Sequence, residues 1–156
     1  MTEKNITTKI QVYSYSELTE EQKKLVDLAK EATKGSYAPY SQFNVGAAVL
    51  LENGVTIKGA NQENAAFPVG ICAERSAIFN AGANYPGVGI KRIAVTAFTR
   101  GAFVDEPCAP CGVCRQALIE FEKNAGYPME VWMVGNEKIY RMNSVCDLLP
   151  LTFKEF

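Results

Sequence analysis

A three-layer α/β/α sandwich around a mixed sheet of about five strands is the fold the sequence predicts, and three features of the chain predict it. Two alternating apolar runs flank an Asn53-Gly54 turn, two helix-forming stretches each open on a cysteine, and a short strand pattern follows each stretch. A strand, a helix and a second strand in that order require a crossover, which makes the sheet mixed.

The elements follow in chain order. Glu17 to Thr33 carries Leu18, Leu25, Val26, Leu28, Ala29 and Ala32 at the spacing of one helix face, and Gly35 supplies a stop. Phe43, Val45, Ala47, Val49 and Leu51 alternate, Glu52-Asn53-Gly54 turns, and Val55, Ile57 and Gly59 resume the alternation, which is a hairpin signature. Cys72 to Ala81 reads as a helix ended by Gly82, and Ile93 to Phe98 as a buried strand. Cys111 to Lys123 is the next helix, with Ala117, Leu118 and Phe121 on one side, and Glu130 to Val134 the strand after it. Lys138 to Met142 forms a fifth, short strand, and Ser144 to Leu149 a last helical turn or two before Pro150.

With 156 residues the chain has length for one core, expected over residues 17–156 after a polar extension, 1–16, to which the pattern assigns no role. No run approaches the roughly 20 apolar residues of a membrane span. The polar N-terminal stretch lacks the apolar core of an export signal, so a cytoplasmic protein is expected. A net charge of -1 with scattered basic residues leaves no footprint for a nucleic-acid backbone. The five cysteines are an odd count in a chain with no export signal, which favours metal or thiol chemistry over a disulfide framework. Histidine is absent, so thiolates and carboxylates must hold any metal, and Glu, Asp, Lys, Tyr or Cys must move any proton.

Cys111-Gly-Val-Cys114 is a C-x-x-C pair, compatible on its own with either a redox couple or a metal site. Cys72-Ala-Glu74 changes the balance. One cysteine opening a helix and a C-x-x-C opening another supply three thiolates and leave a fourth zinc position open, the mark of a catalytic ion rather than a structural one. Glu74, two residues past Cys72, is placed to move protons beside that position. The thiolates overcompensate a divalent charge; two helix N-termini and the guanidinium groups of Arg75 and Arg115, each just past a ligand, are the offsets nearest in sequence. Cys108 leaves open a closed four-thiolate structural site, although Pro107 and Pro110 hold that segment extended. Cys146 reads as a core residue.

Asn61-Gln-Glu63-Asn64-Ala-Ala, Cys72-Ala-Glu74-Arg75 and Pro110-Cys111-Gly-Val-Cys114-Arg115-Gln116, flanked by Tyr40-Ser-Gln-Phe43 and Leu148-Leu-Pro150, resemble the small homotetrameric cytidine deaminases from about Tyr37 to Phe153. The resemblance implies hydrolysis of cytidine and deoxycytidine to their uridine counterparts and ammonia, with one zinc ion per subunit held by Cys72, Cys111 and Cys114 and with Glu74 carrying protons to N3 and to the leaving amine. It further implies that Asn61 and Glu63 bind the ribose, that backbone groups around Ala65 and Ala73 read the base edge, and that Phe43 stacks on the ring. Phe153 resembles an aromatic donated by a neighbouring subunit of a homotetramer. Phe67 stands where the family usually has Tyr, Ala109 where Ser is common, and Cys108 where an aliphatic residue is usual. The competing readings are a deaminase of a modified cytosine nucleoside such as blasticidin S, a structural zinc module, and a thiol oxidoreductase using Cys111 and Cys114.

Overall fold

The computed structural model describes residues 1–153. Among these residues seven strands and three α-helices follow one another: β1 (Gln11–Tyr13), α1 (Glu20–Ala32), β2 (Asn44–Leu51), β3 (Thr56–Ala60), α2 (Ala73–Asn84), β4 (Ile90–Thr99), β5 (Ala102–Phe103), α3 (Gly112–Ala125), β6 (Glu130–Val134) and β7 (Ile139–Met142). They form one sheet in the order β1-β7-β6-β4-β2-β3, with β5 paired to β4 outside that path. Only β4 and β6 run parallel, joined through α3; the other pairings are antiparallel, so the sheet is mixed as expected.

Strand alternation sorts the core into two halves, one on each face of the sheet. Ala48, Leu50, Ala94, Trp132 and Val134 pack with Leu25, Val26 and Ala29 of α1. Ala47, Val49, Ile93, Val95, Val131 and Met133 pack with Ala77 and Ile78 of α2 and with Leu118 and Ile119 of α3. Three layers result. Two glycines let the helices come close: a Cβ on Gly46 would lie 2.2 Å from the Ala29 carbonyl oxygen of α1, and one on Gly59 2.4 Å from that of Ala73 in α2. The first turn of α2, which carries the Cys72-Ala-Glu74 motif, is thereby seated directly on β3.

The observed elements depart from the expected ones in three places. The sheet has seven strands rather than about five because β5 has two residues and because Gln11–Tyr13, from the segment assigned no role, adds an edge strand to β7. Tyr13 packs on Trp132 with ring centroids 5.6 Å apart, and Gln11 Oε1 accepts a hydrogen bond of 2.5 Å from Arg141. Helix α2 continues through Gly82 to Asn84, because the Phe121 ring covers Gly82 so closely that a Cβ there would sit 3.2 Å from it. The final helical segment is a single 3-10 turn, Val145–Asp147, capped by the Ser144 hydroxyl.

That last turn hangs on one buried carboxylate. Glu122 of α3 accepts hydrogen bonds from Met129 N at 2.8 Å, Val145 N at 2.9 Å and Ser144 Oγ at 2.7 Å, so the start of β6 and the C-terminal segment are fastened to the same helix. A buried carboxylate with this many donors is stable in place, whereas removing the donors would leave a desolvated charge.

Candidate active site

Helices α2 and α3 lie side by side on one face of the sheet, and each begins immediately after a cysteine. Cys72 occupies the N-cap of α2 and Cys111 that of α3, both with extended backbone, while Cys114 sits fully buried in the first turn of α3. Their sulfurs lie within 4.8 Å of one another, with 3.9 Å between Cys72 Sγ and Cys111 Sγ. A tetrahedral zinc with Zn–S bonds near 2.3 Å holds its sulfurs about 3.8 Å apart, so the trio fits such an ion. Both helix N-termini aim partial positive charge at the sulfurs.

Among the described residues these three make the one cluster suited to a metal, and Cys108 is outside it. Burial, with the nearby Glu74 adding to it, pushes the Cys108 thiol up to about 11, which keeps it protonated. With Cys108 outside the sulfur cluster, no fourth thiol among the described residues closes the site. Cys72 shows the opposite behaviour: the Cys114 thiol donates to it and outweighs its burial, with Arg75 and Cys111 assisting, and its pKa falls to about 5. Cys114, the partner in that bond, is raised, so without a metal the pair shares one negative charge centred on Cys72.

The two arginines differ. Arg75 donates from Nη2 to Cys72 Sγ at 3.7 Å, as expected for a charge offset. Arg115 is turned to carbonyl groups instead, donating to Pro110 O and to Leu148 O at 2.8 Å each. Its side chain points back along α3, as helix side chains do, and it ties the approach to Cys111 to the C-terminal segment.

Glu74 lies in the first turn of α2 and is 4% exposed. Burial raises its pKa above the ordinary carboxylate value, and the charge on Cys72 adds to the rise against hydrogen bonds from its own backbone N–H and from Cys114. A carboxyl held towards its protonated form suits a group that must both take and give a proton.

Above this floor opens a cavity of about 640 Å³ lined by Glu74, Cys72, Cys111, Phe43, Asn61 and Glu63, among others. That volume is within the usual range for small-molecule sites, about 300 to 1,000 Å³. Residues 61–63 reach it because Gln62 is held between two neighbours: Tyr37 on one side, with Tyr37 N on Asn61 O at 3.0 Å, and Ile71 on the other, through paired backbone bonds of 2.9 Å. The Asn61 side chain clamps the Phe43 loop, its Nδ2 donating to Phe43 O at 2.9 Å and its Oδ1 accepting from Val45 N at 2.8 Å and Ser36 Oγ at 2.6 Å. Glu63 accepts from Tyr40 N at 2.9 Å, from Ser41 N at 3.2 Å and from the Ser41 hydroxyl, which is the main cause of its lowered pKa.

Not every expected residue gathers here. Ala65, Ala73, Cys114, Arg115 and Phe153 do not line the cavity; Ala73 and Cys114 are buried below it, and Phe153 is 67% exposed elsewhere on the chain. Phe67 does reach the rim, 74% exposed and edge-on to Tyr40 with centroids 6.0 Å apart. Ser41 and Ile71 also line the cavity without having been singled out as ligands, and only the position of Ser41 inside Tyr40-Ser-Gln-Phe43 signalled it; Cys108, weighed as a fourth thiolate, lines it too.

Residues 19–127 match the model of the cytidine and deoxycytidylate deaminase zinc-binding region. The chain is 39% identical over 133 residues to a cytidine deaminase of Sporosarcina psychrophila, covering 85% of this chain and 90% of that one. It is 42% identical over 131 residues to a cytidine deaminase of Halalkalibacterium halodurans, covering 84% and 86%. The crystal structure of cytidine deaminase from Burkholderia pseudomallei superposes with a TM-score of 0.70 at 40% identity, over 87% of this chain and all of that one. That of the Mycobacterium tuberculosis enzyme gives 0.67 at 29% identity, over 85% and 96%. Similarity of this extent, spanning the segments that bring the three thiols and Glu74 together, shows that the chain belongs to the zinc-binding cytidine deaminase family.

Proposed function

We propose that this enzyme hydrolyses the 4-amino group of cytidine and deoxycytidine, releasing ammonia, with Cys72, Cys111 and Cys114 as its zinc ligands and Glu74 as its proton carrier. The observation that carries the reading is the three-sulfur cluster set beside a buried carboxyl on the floor of one cavity. Zinc, when bound, supplies Lewis acidity that brings the pKa of a water near neutrality. Glu74 takes a proton from the attacking water and places it on N3 of the pyrimidine, then takes the second proton from the new C4 hydroxyl and delivers it to the amino nitrogen as C4–N breaks and C4=O forms. Its burial keeps bulk water from taking over those transfers. Phe43 stacks on the base, backbone groups around Ala65 and Ala73 read its polar edge, and Asn61 and Glu63 bind the sugar: Asn61 keeps one amide N–H beyond its clamp on Phe43, and Glu63 keeps one acceptor site.

Neither a structural zinc module nor a deaminase of modified nucleosides is favoured, since Cys108 stays outside the cluster and the curated relatives quoted are cytidine deaminases. Arg75, the one basic side chain lining the cavity among the described residues, is engaged with Cys72, which supports a nucleoside over a nucleotide. Ammonia release from cytidine, 3′-deoxycytidine, free cytosine, cytidine 5′-monophosphate and an oligonucleotide tests this. A substrate that leaves the Glu63 carboxylate without its hydroxyl partner loses roughly 5- to 150-fold in kcat/KM. Cytosine turning over as fast as cytidine would show that Asn61 and Glu63 are not sugar ligands.

The working unit in this reading is a single-domain, cytoplasmic homotetramer whose sites are completed across subunits. Its support is that Tyr40, Phe67, Val69, Phe79, Val113 and Phe153 are all exposed on the single chain. No helix among the described residues is long and apolar enough to cross a membrane. The apolar C-terminal stretch from Leu148 extends to Phe156, of which residues 154–156 lie outside the described part. Sedimentation should give a tetramer, and Phe153→Ala should raise KM for cytidine; an active monomer would refute the assembly.

A further inference from the structure

We propose that Ser41 is the positioning residue of the substrate pocket, its hydroxyl both orienting the Glu63 carboxylate and holding the backbone that carries Phe43. The proposal rests on the assignment of Glu63 to the sugar. An ionised carboxylate offers about four acceptor sites. In Glu63 three are taken: Oε2 receives Tyr40 N and Ser41 N, and Oε1 receives the Ser41 hydroxyl. One site on Oε1 is left for a substrate hydroxyl, and which way it points is set by Ser41 filling the other.

The same Ser41 oxygen accepts the N–H of Phe43 at 3.0 Å. The carbonyl of Phe43 is held from the opposite side by Asn61 Nδ2 at 2.9 Å. The backbone on both sides of the aromatic is thus tied to the two residues assigned to the sugar, directly by Asn61 and through Ser41 by Glu63. Between Ser41 and Phe43, Gln42 adopts a left-handed backbone, φ 54°, which a side chain larger than glycine's disfavours. A conformation of that kind persists only where its surroundings over-determine it, and here Ser41 Oγ with the Gln42 N to Ala38 O bond of 2.9 Å does so. Alanine at position 41 would remove the donor to Oε1 and leave the Phe43 N–H without its acceptor, loosening sugar ligand and base platform together.

The test compares cytidine with 3′-deoxycytidine in zinc-loaded Ser41→Ala, Ser41→Thr and Glu63→Gln. Ser41→Ala should lower kcat/KM for cytidine about 10-fold, chiefly through KM, and shrink the preference for cytidine over 3′-deoxycytidine several-fold at unchanged zinc content. Ser41→Thr, which keeps the hydroxyl, should restore both values. An equal loss on the two substrates would mean that Ser41 only stabilises the turn, and would overturn the proposal. Glu63→Gln separates the two layers of the argument. If it abolishes the preference while Ser41→Ala does not, the positioning role fails and the sugar assignment stands; if it leaves the preference intact, the sugar assignment fails and takes the proposal with it.

Discussion

Cys114→Ala is expected to lose zinc and deaminase activity together, while Cys108→Ala and Cys146→Ala keep both. Cys114 is fully buried in the first turn of α3. Two thiolates remain for an ion that needs at least three protein ligands to leave one position open. Changes in groups that merely touch a ligand cost about 10- to 100-fold in metal affinity, and removal of a ligand should exceed that. Metal analysis after dialysis, alongside ammonia release, is the measurement. Full zinc occupancy in Cys114→Ala would sink the ligand assignment, and zinc loss in Cys108→Ala would bring back the four-thiolate site. Cys108 makes a sharp control because it lines the same cavity as Cys72 and Cys111 yet lies outside the sulfur cluster.

Glu74→Gln should give a folded, zinc-loaded protein whose kcat falls by roughly 10²- to 10⁴-fold, with KM far less affected. The amide keeps the volume of a side chain that is 4% exposed, so neither a cavity nor a buried charge is introduced. What disappears is the ability to accept a proton and return it. Burial already holds the native carboxyl towards its protonated form, so replacing it by a neutral amide costs little in folding, and thermal melting should detect no loss. With no histidine in the chain to take over, near-wild-type turnover in this variant would mean that Glu74 is not the carrier.

How much of this was legible in the sequence depended on distance along the chain. The hairpin around Asn53-Gly54, the crossover through α3 and the helix starts at Cys72 and Cys111 follow from local spacing, and the structure has them within a few residues of the expected bounds. Strand β1 was not legible: three residues, the central Val12 exposed, carry too little pattern, and their partner β7 lies about 130 residues away. Gly82 was misleading for a related reason. Glycine ordinarily ends a helix, but here its missing side chain makes room for Phe121 of the neighbouring helix, a contact no local pattern encodes.

The same division runs through the site. The thiol inventory, the absence of histidine and the placement of Glu74 two residues past Cys72 narrow which groups can hold zinc and move protons, because they depend on residue type and spacing alone. That Cys108 stands apart from the other three thiols, that Arg115 bonds to carbonyls while Arg75 bonds to sulfur, and that Ser41 links Glu63 to Phe43 are settled by packing. Arg115 meets Leu148 across 33 residues of chain and Ser41 meets Glu63 across 22, whereas Arg75 reaches Cys72 within one helical turn. Spacing restricts what a side chain can reach within its own turn of helix or strand; between elements, the choice among reachable partners falls to steric fit and to the need of every buried polar group for a hydrogen bond.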